Sequence, residues 1–382
     1  MIEKIFFELL QVAVGTRDEL SRILSAKEWN ELYEIAKKQS LVGVCFAGVR
    51  RLGFASYEDK NHLPPSATSN LSELLYITWM GMAAGIQQRN EIVNKQCVAL
   101  QEQLFADGFR SCVLKGQSVA SLYGKHLSEL RQSGDIDVLI DAPRKEVLNY
   151  VMKHCPEVKS LMSYHVELPI WKDTMIELHF LPAQLCNPFK QRKLELWYRS
   201  ESERILEHRQ ILGNGSEIVA PDAQFNLVYI LLHIYKHLFA EGIGLRQLMD
   251  YYFVLRTSGA EDLKNVRVRM ALKSLGLEKF VSAVMWVLAE VFGLPEECMI
   301  SEPDRKEGEW LLGDIMRNGN MGHGREDWVK PNDNAWLRFR KMVAANVRLL
   351  WHYPSETLWF PYFKLWHYPW RKFMERKLKE YR

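Results

Sequence analysis

Two aspartates separated by one residue form the most chemically suggestive group in the sequence. Asp135 and Asp137 begin a run, residues 135–141, that alternates polar and apolar residues with a period of two through most of its length. This pattern predicts a strand with one buried face and one acidic face, on which the two carboxylates converge. Because like charges repel at that distance, water or a cation must relieve the repulsion. Oxygen ligands of this kind suit Mg²⁺, with Mn²⁺ as the alternative. A solvated strand face produces the same pattern, so the pair alone is weak evidence.

A third carboxylate on another strand would complete a metal site. Three carboxylates can hold two metal ions about 3.5–4 Å apart, which clamp the attacking and leaving oxygens of a displacement reaction. Glu177 lies in an apolar run that we predict to be a strand, and it is our candidate. Glu167, on the partner strand of a predicted hairpin, is the alternative. His179 shares a strand face with Glu177 and is placed either to orient it, to contact a phosphate, or to support the structure.

A glycine that follows a short apolar run predicts a site for phosphate. Residues 111–114 are of strand type, and Lys115-Gly116 ends them before a segment with helical spacing. A glycine there lets the backbone approach phosphate oxygens, and a helix N-terminus offers free N–H groups. Ser118 would add a hydroxyl and Lys115 a charge, while Arg131 suits a bidentate contact with a phosphate or a neighbouring carboxylate. Taken alone, Gly116 is more simply interpreted as an ordinary turn glycine.

The elements that position these residues form a small domain. Strand, helix, strand, helix and hairpin follow one another over residues 109–182, which predicts a mixed α/β fold. A long helix over residues 69–106 precedes this segment. A second hairpin at 211–216 and a strongly apolar helix over 225–239 follow it.

Three regions follow from this order of elements. We predict a helical region over residues 1–107, an α/β core over 108–220 and a second helical region over 221–382, with loops at 61–66 and 319–334.

The ordered motifs resemble the DNA polymerase beta-like nucleotidyltransferase superfamily, whose members share a glycine-serine turn, an acidic pair and a third acidic strand. More closely, the sequence resembles a bacterial family of uncharacterised nucleotidyltransferases over about residues 90–260. The matching residues are Leu114-Lys115-Gly116, Leu122-Tyr123, Arg131, Ser133, Asp135-Ile136-Asp137, Ile176-Glu177-Leu178-His179, Leu231-Leu232-His233, Lys236-His237, Arg246 and Asp250. The turn here reads Gly116-Gln117-Ser118, and the loop before Asp135 is longer than in compact members.

This resemblance implies an α+β fold with a nucleotidyltransferase core between helical regions. It also implies Mg²⁺-dependent transfer of a nucleoside monophosphate from an NTP to a hydroxyl-type acceptor on a small molecule, a protein or an RNA. The implied catalytic and metal-binding residues are Asp135, Asp137 and Glu177. Nucleotide binding is assigned to Lys115, Gly116, Ser118, Arg131 and Ser133, and supporting roles to His179, His233, His237, Arg246 and Asp250. The alternative function is a nucleotide-binding or antitoxin-like regulatory module with little catalysis.

Two pairs of residues in the apolar helix and its successor have simpler interpretations. His233 and His237 lie four residues apart, a spacing that can bind zinc, but no third ligand is evident from the sequence. We favour packing of this helix against the α/β core, with one imidazole near the nucleotide. Arg246 and Asp250 are also four apart, and a structural salt bridge between them is an equal alternative.

The composition excludes several classes of protein. With 382 residues, 47% hydrophobic and 25% charged, the chain is neither disordered, collagen-like nor a disulfide scaffold. The net charge of +3 argues against general nucleic-acid binding. The tail from Trp351 is rich in aromatic and basic residues; we favour packing with a solvated basic face over nucleic-acid binding there.

Cysteine usage and the N-terminus predict a cytoplasmic protein without a membrane partner. The six cysteines are scattered and include no Cys-x-x-Cys pair, which favours structural thiols in a reducing compartment. Glu3 and Glu8 interrupt the segment that a signal peptide would need to be apolar. The longest uncharged run expected in a core helix, residues 223–235, is shorter than the roughly 20 residues of a membrane span.

Overall fold

The fold is mainly helical around one small sheet. The computed structural model describes residues 2–53, 68, 70–155, 160–320 and 333–380, with side chains described as far as residue 377. The α-helices within these residues are α1 Ile2–Val14, α2 Ala26–Lys38, α3 Val42–Arg51, α4 Glu73–Ala106, α5 Gln117–Ala120, α6 Arg144–His154, α7 Pro188–Glu207, α8 Ala223–Ala240, α9 Leu245–Thr257, α10 Ala260–Leu263, α11 Val266–Leu275, α12 Glu278–Phe292, α13 Arg305–Asn318, α14 Ala335–Val347 and α15 Pro354–Glu380.

Four strands form the sheet that carries the acidic residues, and two more form a separate hairpin. The strands are β1 Ser111–Val113, β2 Ile136–Ile140, β3 His165–Glu167, β4 Ile176–His179, β5 Arg209–Ile211 and β6 Glu217–Val219. The sheet has the order β1-β2-β4-β3, in which β2 and β4 are parallel and the other two pairs are antiparallel. Both predicted hairpins are present, as β3–β4 and β5–β6.

The sheet packs on both faces. Ile136, Val138 and Ile140 of β2 contact a cluster that includes apolar residues of α4 and α6. Leu139, on the opposite face, joins the larger helical core, which also contains the apolar residues of α8. The acidic face of β2 is therefore buried as well, and Asp137 is only 1% exposed.

The predicted mixed α/β fold between helical segments is confirmed. The larger core runs from Ile5 of α1 to Phe360 of α15, so the N-terminal and C-terminal helices share it. The boundaries of the three regions stay a prediction. All six cysteines are free thiols, of which three are fully buried. In the part of the chain that the structure describes, no helix is long and apolar enough to cross a membrane.

Several predicted boundaries differ from the structure. The long helix begins at Glu73 rather than near residue 69, because Ser72 accepts a hydrogen bond from the Leu75 amide and caps it. The start of the apolar helix α8 agrees with the expectation that Pro221-Asp222 begins it, since Asp222 caps it in the same way through the Phe225 amide. The predicted loop at 61–66 lies outside the described residues, as do residues 321–332 of the loop predicted at 319–334.

Candidate active site

Three carboxylates meet on the sheet face that is directed toward α8. Asp137 of β2 and Glu177 of β4 are paired residues of the parallel strands, so their side chains point to the same face. Asp135 lies two residues before Asp137, immediately before β2. One carboxylate oxygen from each of the three residues lies within 4.8 Å of the others. This is a set of oxygen ligands at a spacing that a divalent cation can bridge.

Lys115 partly neutralises this cluster. Its Nζ lies 2.8 Å from Asp137 Oδ2 and 3.4 Å from Asp135 Oδ2. Burial by itself would lower the pKa of Lys115, but the charges of Asp135, Asp137 and Glu177 more than offset it and hold that pKa above its ordinary value. Burial likewise opposes ionisation of Asp137, yet Lys115 and His179 together hold its pKa below the ordinary value. The pKa of Glu177 is likewise lowered by His179 and Lys115 against the effect of its burial, so Asp137 and Glu177 are both ionised beside a cation.

His179 joins two of the carboxylates. Its Nε2 lies 3.0 Å from Asp137 Oδ1 and 3.3 Å from Glu177 Oε2, and its Nδ1 lies 3.3 Å from the Leu181 carbonyl. Burial would lower the pKa of His179, but the hydrogen bonds to Asp137 and Glu177 raise it overall. His179 and Glu177 therefore lie close together, as their spacing on the strand predicted. The histidine contacts both acidic side chains and orients them.

His165 is a neighbour of this group that the sequence analysis did not select. It is paired with His179 across the antiparallel β3–β4 ladder, and its Nδ1 lies 3.3 Å from Glu177 Oε2. Burial, with His179 close by, lowers the pKa of His165 to about 2, so the ring is neutral. His165 lies two residues before Glu167, which the sequence analysis did consider, and residues at that spacing on a strand share a face. This spacing could have identified His165 from the sequence.

The two candidates for the third carboxylate are adjacent but not equivalent. Glu167 is paired with Glu177 across the β3–β4 ladder, on the same face. Among the described residues, the groups whose ligand atoms lie within 4.8 Å of one another include Glu177 and not Glu167. The geometry therefore favours Glu177 as the third ligand.

The turn after β1 differs from the predicted phosphate loop. Gly116 has φ +65° and ψ −108°, a backbone conformation open to glycine, and a Cβ added there would meet the Asp135 carbonyl at 3.5 Å. The helix that follows has only four residues, so its dipole is weak. Ser118 is fully buried, and its Oγ lies 3.5 Å from the Lys115 carbonyl within the turn. The expected helix N-terminus and serine hydroxyl for phosphate are therefore not supported.

Arg131 contacts a carboxylate rather than facing solvent. Its Nε and Nη2 donate to the two oxygens of Asp250 at 2.6 and 2.8 Å, and the Tyr123 hydroxyl donates to Asp250 at 2.6 Å. Arg131 is 4% exposed, and Asp250 pairs with it and not with Arg246. Arg246 instead donates to the Gln132 carbonyl at 2.8 Å. The buried Arg131–Asp250 pair joins the loop before β2 to α9.

The long helix α4 also holds that loop. The Asn90 side chain donates to the carbonyls of Glu129 and Arg131 at 2.7 and 2.8 Å. Asn90 itself is 2% exposed. A buried asparagine inside a helix whose buried face is mostly apolar is a sequence signal for such a contact, and the sequence analysis missed it.

Cationic and aromatic side chains of α8 lie opposite the carboxylates. Lys236 donates to the Tyr164 hydroxyl at 2.7 Å, and its Nζ lies 4.4 Å from the centre of that ring. The rings of His233 and His237 lie 4.4 Å apart, and His237 Nδ1 is 3.2 Å from Glu241 Oε2. Among the described residues, neither histidine belongs to a group of three metal-ligating side chains, so the structure does not favour zinc there.

A small cavity lies between α8, α9 and the residues around Gly116 and Asp135. Its volume is about 80 Å³, and its lining includes Lys115, Gly116, Asp135, His233 and Arg246. Ser133, in the loop nearby, has a buried hydroxyl without a hydrogen-bond partner. The cavity therefore brings backbone at a glycine and several cationic groups to the edge of the acidic cluster.

A cluster of carboxylates on a small mixed sheet, beside a glycine turn and facing cationic side chains, agrees with the nucleotidyltransferase class that the sequence resembles. The family model described as "Uncharacterised nucleotidyltransferase" matches residues 25–293, which is more than half of the chain. The chain belongs to this family, as the resemblance in its sequence indicated.

Comparison with solved structures gives a weaker likeness. An antigenic nucleotidyltransferase-like protein from Paracoccidioides brasiliensis is 14% identical, with a TM-score of 0.32 over 56% of this chain and 95% of that chain. No curated protein is detectably similar to this chain.

Proposed function

We propose that the protein is a Mg²⁺-dependent transferase that moves a nucleoside monophosphate from an NTP to a hydroxyl-type acceptor. The observation that carries this proposal is the convergence of Asp135, Asp137 and Glu177 within 4.8 Å of one another. In this proposal the three residues are the catalytic, metal-binding residues, and membership of a nucleotidyltransferase family supports the assignment. The partners are an NTP donor and an acceptor on a small molecule, a protein or an RNA, in the cytoplasm.

The residues present fit a hard divalent cation. All three proposed ligands are carboxylates, and Asp137 Oδ2 is a buried oxygen whose neighbour is the cationic Lys115 Nζ, 2.8 Å away. Three carboxylates against the single charge of Lys115 leave two formal negative charges when the histidines are neutral. One divalent ion balances that charge. When bound, Mg²⁺, or Mn²⁺ in its place, neutralises charge on the phosphates and makes the acceptor hydroxyl a better nucleophile.

The other groups act on the nucleotide. We assign Lys115, Lys236 and Arg246 to the anionic phosphates, because these cations surround the acidic cluster and the cavity beside it. Gly116 allows close approach of backbone to a phosphate, and the unpartnered hydroxyl of Ser133 is available to a nucleotide oxygen. His179 orients Asp137 and Glu177 through its Nε2. Arg131 and Asp250 act indirectly, by fixing the loop that leads into β2.

A labelling experiment tests this function. The purified protein is incubated with each α-labelled NTP, Mg²⁺ and a cell extract, and both label transfer and pyrophosphate release are followed. We expect transfer to one class of acceptor in wild type and its loss in Glu177→Gln, while Glu167→Gln, the neighbouring carboxylate, serves as the matched control. Nucleotide binding without pyrophosphate release for all four NTPs and a broad panel of acceptors would instead support the regulatory-module alternative.

A further inference from the structure

A second group of potential metal ligands lies beside the acidic cluster, on its edge-strand side. His165 of β3 and His179 of β4 are paired residues, and their ring centres lie 5.0 Å apart. Glu177 extends between them, and one ligand atom from each of the three residues lies within 4.8 Å of the others. This group contains two nitrogen donors, whereas the group formed by Asp135, Asp137 and Glu177 contains only oxygens.

The distances in this group match those around a small tetrahedral ion. His165 Nδ1 and His179 Nε2 each lie 3.3 Å from Glu177 Oε2. Donor atoms that bind a tetrahedral ion with bonds of about 2.0–2.1 Å are about 3.3–3.4 Å apart. Asp137 Oδ1, 3.0 Å from His179 Nε2, offers a further oxygen close by. Two of the three donor–donor distances in the group therefore match those of zinc coordination, and the two nitrogens lie within 4.8 Å of each other.

An unpartnered nitrogen gives independent support. The His165 side chain is 6% exposed, and its Nδ1 is buried without a hydrogen-bond partner. A buried polar atom left in this state is unfavourable, and a bound metal ion would satisfy it. His179 Nδ1 faces the Leu181 carbonyl at 3.3 Å, which is the type of contact that orients a metal-binding imidazole.

We propose that His165, His179 and Glu177 form a binding site for a borderline transition-metal ion, Zn²⁺ above all, that competes with Mg²⁺ for Glu177. Imidazole nitrogens favour such an ion over Mg²⁺, which prefers oxygen ligands. With neutral histidines, the three carboxylates and Lys115 carry two formal negative charges, which one divalent ion balances. Without nucleotide, binding of Zn²⁺ and binding of Mg²⁺ therefore exclude each other. The proposed zinc binding depends on this geometry alone. Its expected consequence, inhibition of nucleotidyl transfer by zinc, rests on the proposed function.

Metal titration of the full-length protein tests the site directly. After removal of metals, wild type is titrated with Zn²⁺ against a chromophoric chelator and, separately, with Co²⁺ as a spectroscopic probe. We expect one bound Zn²⁺, weakened by added Mg²⁺, and the visible absorption of four-coordinate Co²⁺. His165→Phe, which keeps a ring in the buried position, lowers zinc affinity at least about tenfold. His126→Phe, at an exposed histidine outside the cluster, leaves it unchanged.

X-ray absorption of the zinc complex and the Asp135→Asn variant complete the test of the zinc site. If His165→Phe does not fold, the X-ray absorption spectrum of the wild-type zinc complex must contain scattering from two imidazole rings. Equal zinc affinity in wild type and folded His165→Phe, a spectrum without paired imidazoles, or six-coordinate Co²⁺ overturns the proposal. Asp135→Asn separates the two proposals, because Asp135 lies outside the histidine group: it retains zinc binding and loses nucleotidyl transfer. Transfer that survives this change contradicts the proposed function alone.

Discussion

At the scale of single residues, the site depends on charges that are buried yet compensated. Asp137 is 1% exposed and lies between Lys115 and His179. A buried carboxylate without partners would be unfavourable, so the contact with Lys115 and the hydrogen bond with His179 are what allow Asp137 to remain ionised. Asp135 is more accessible, with 36% of its side chain exposed, and is the better position for testing function without disturbing the fold.

We expect Asp135→Asn to reduce nucleotidyl transfer by at least about 100-fold, because it removes one negative ligand from the proposed Mg²⁺ site. The measurement is the rate of pyrophosphate release at saturating Mg²⁺ and NTP. Glu167→Gln, a nearby carboxylate outside the cluster, is expected to retain nearly full activity. A small effect of Asp135→Asn, or an equal effect of the two substitutions, would contradict the assignment.

We expect Lys236→Met to raise the KM for the NTP by roughly 10-fold to 100-fold, which corresponds to the loss of one charged hydrogen bond of about 1.5–3 kcal/mol. Tyr164→Phe removes the hydroxyl that now accepts a hydrogen bond from Lys236 but leaves the cation, so its KM should change little. Steady-state kinetics with varied NTP measure both. An unchanged KM in Lys236→Met would remove this residue from the nucleotide site.

The acidic residues could be predicted from the sequence, whereas several of their neighbours could not. The i, i+2 spacing of Asp135 and Asp137 and the strand pattern around Glu177 depend on local periodicity, which a sequence carries. The contacts of His165 and Lys236 depend on strand pairing and on where α8 crosses the sheet, which are non-local. For the same reason the sequence allowed two partners for Arg131, and the structure shows that it pairs with Asp250.

At the scale of elements, the turn after β1 and the loop before β2 position the site. Gly116 holds a positive φ, and the Leu114 amide donates to the Asp137 carbonyl at 2.9 Å, which ties the turn to β2. The sequence predicted a glycine between a strand and a helix correctly. The helical spacing there continues through Val119, Leu122 and Tyr123, but the structure divides this segment into the four-residue α5 and a short 3₁₀ turn, Ser121–Tyr123.

We expect Gly116→Ala to lower the free energy of unfolding by about 1–3 kcal/mol, because its backbone conformation is strained for any residue with a Cβ. Chemical denaturation monitored by circular dichroism measures this change. Gly85→Ala is the control: Gly85 lies within α4, and nothing stands within 4 Å of an added Cβ. That control should raise stability by about 0.5–1 kcal/mol, and a similar loss in both variants would contradict the explanation.

We expect Asp250→Asn to destabilise the protein by about 3–5 kcal/mol, since it leaves the buried guanidinium of Arg131 without its counter-charge. Burial opposes ionisation of Asp250, but Arg131 holds its pKa below the ordinary value. Its contribution is therefore complete above the unfolded-state pKa of about 3.9 and disappears as the pH falls through the lower folded-state pKa.

Denaturation of wild type and Asp250→Asn from pH 7 to pH 3 measures this contribution. The difference in unfolding free energy should be constant above about pH 5 and should shrink at lower pH. Glu309→Gln, in the exposed Arg305–Glu309 pair, should change stability very little at any pH. A difference that persists unchanged at pH 3 would show that the pair does not act through its charges.

At the scale of the whole molecule, the small sheet is held by a helical framework that spans the chain. One apolar core extends from α1 to α15, and the second joins α4 and α6 to the opposite face of the sheet. The sequence indicated the α/β core and its helical surroundings through element order. It did not show that the N-terminal and C-terminal helices share a core, because such contacts join residues hundreds of positions apart.

We expect Mg²⁺ with an NTP to raise the thermal midpoint of the folded chain, because a ligand that binds only the native state stabilises it. At a ligand concentration of about 100 times the Kd, the gain is about 2.7 kcal/mol. Differential scanning fluorimetry, with each NTP and with or without Mg²⁺, measures the shift. The shift should require Mg²⁺ and disappear in Asp135→Asn; a shift that is independent of both would place nucleotide binding elsewhere.

The most direct test of the central claim is to locate the metal. A crystal of the full chain is grown with Mn²⁺ and a non-hydrolysable NTP analogue, and anomalous scattering is measured at the manganese edge. The account predicts a peak bound by the carboxylates of Asp135, Asp137 and Glu177, with phosphates of the analogue as additional ligands. Analogue bound without manganese among these three carboxylates, or manganese bound only at other sites, would contradict it.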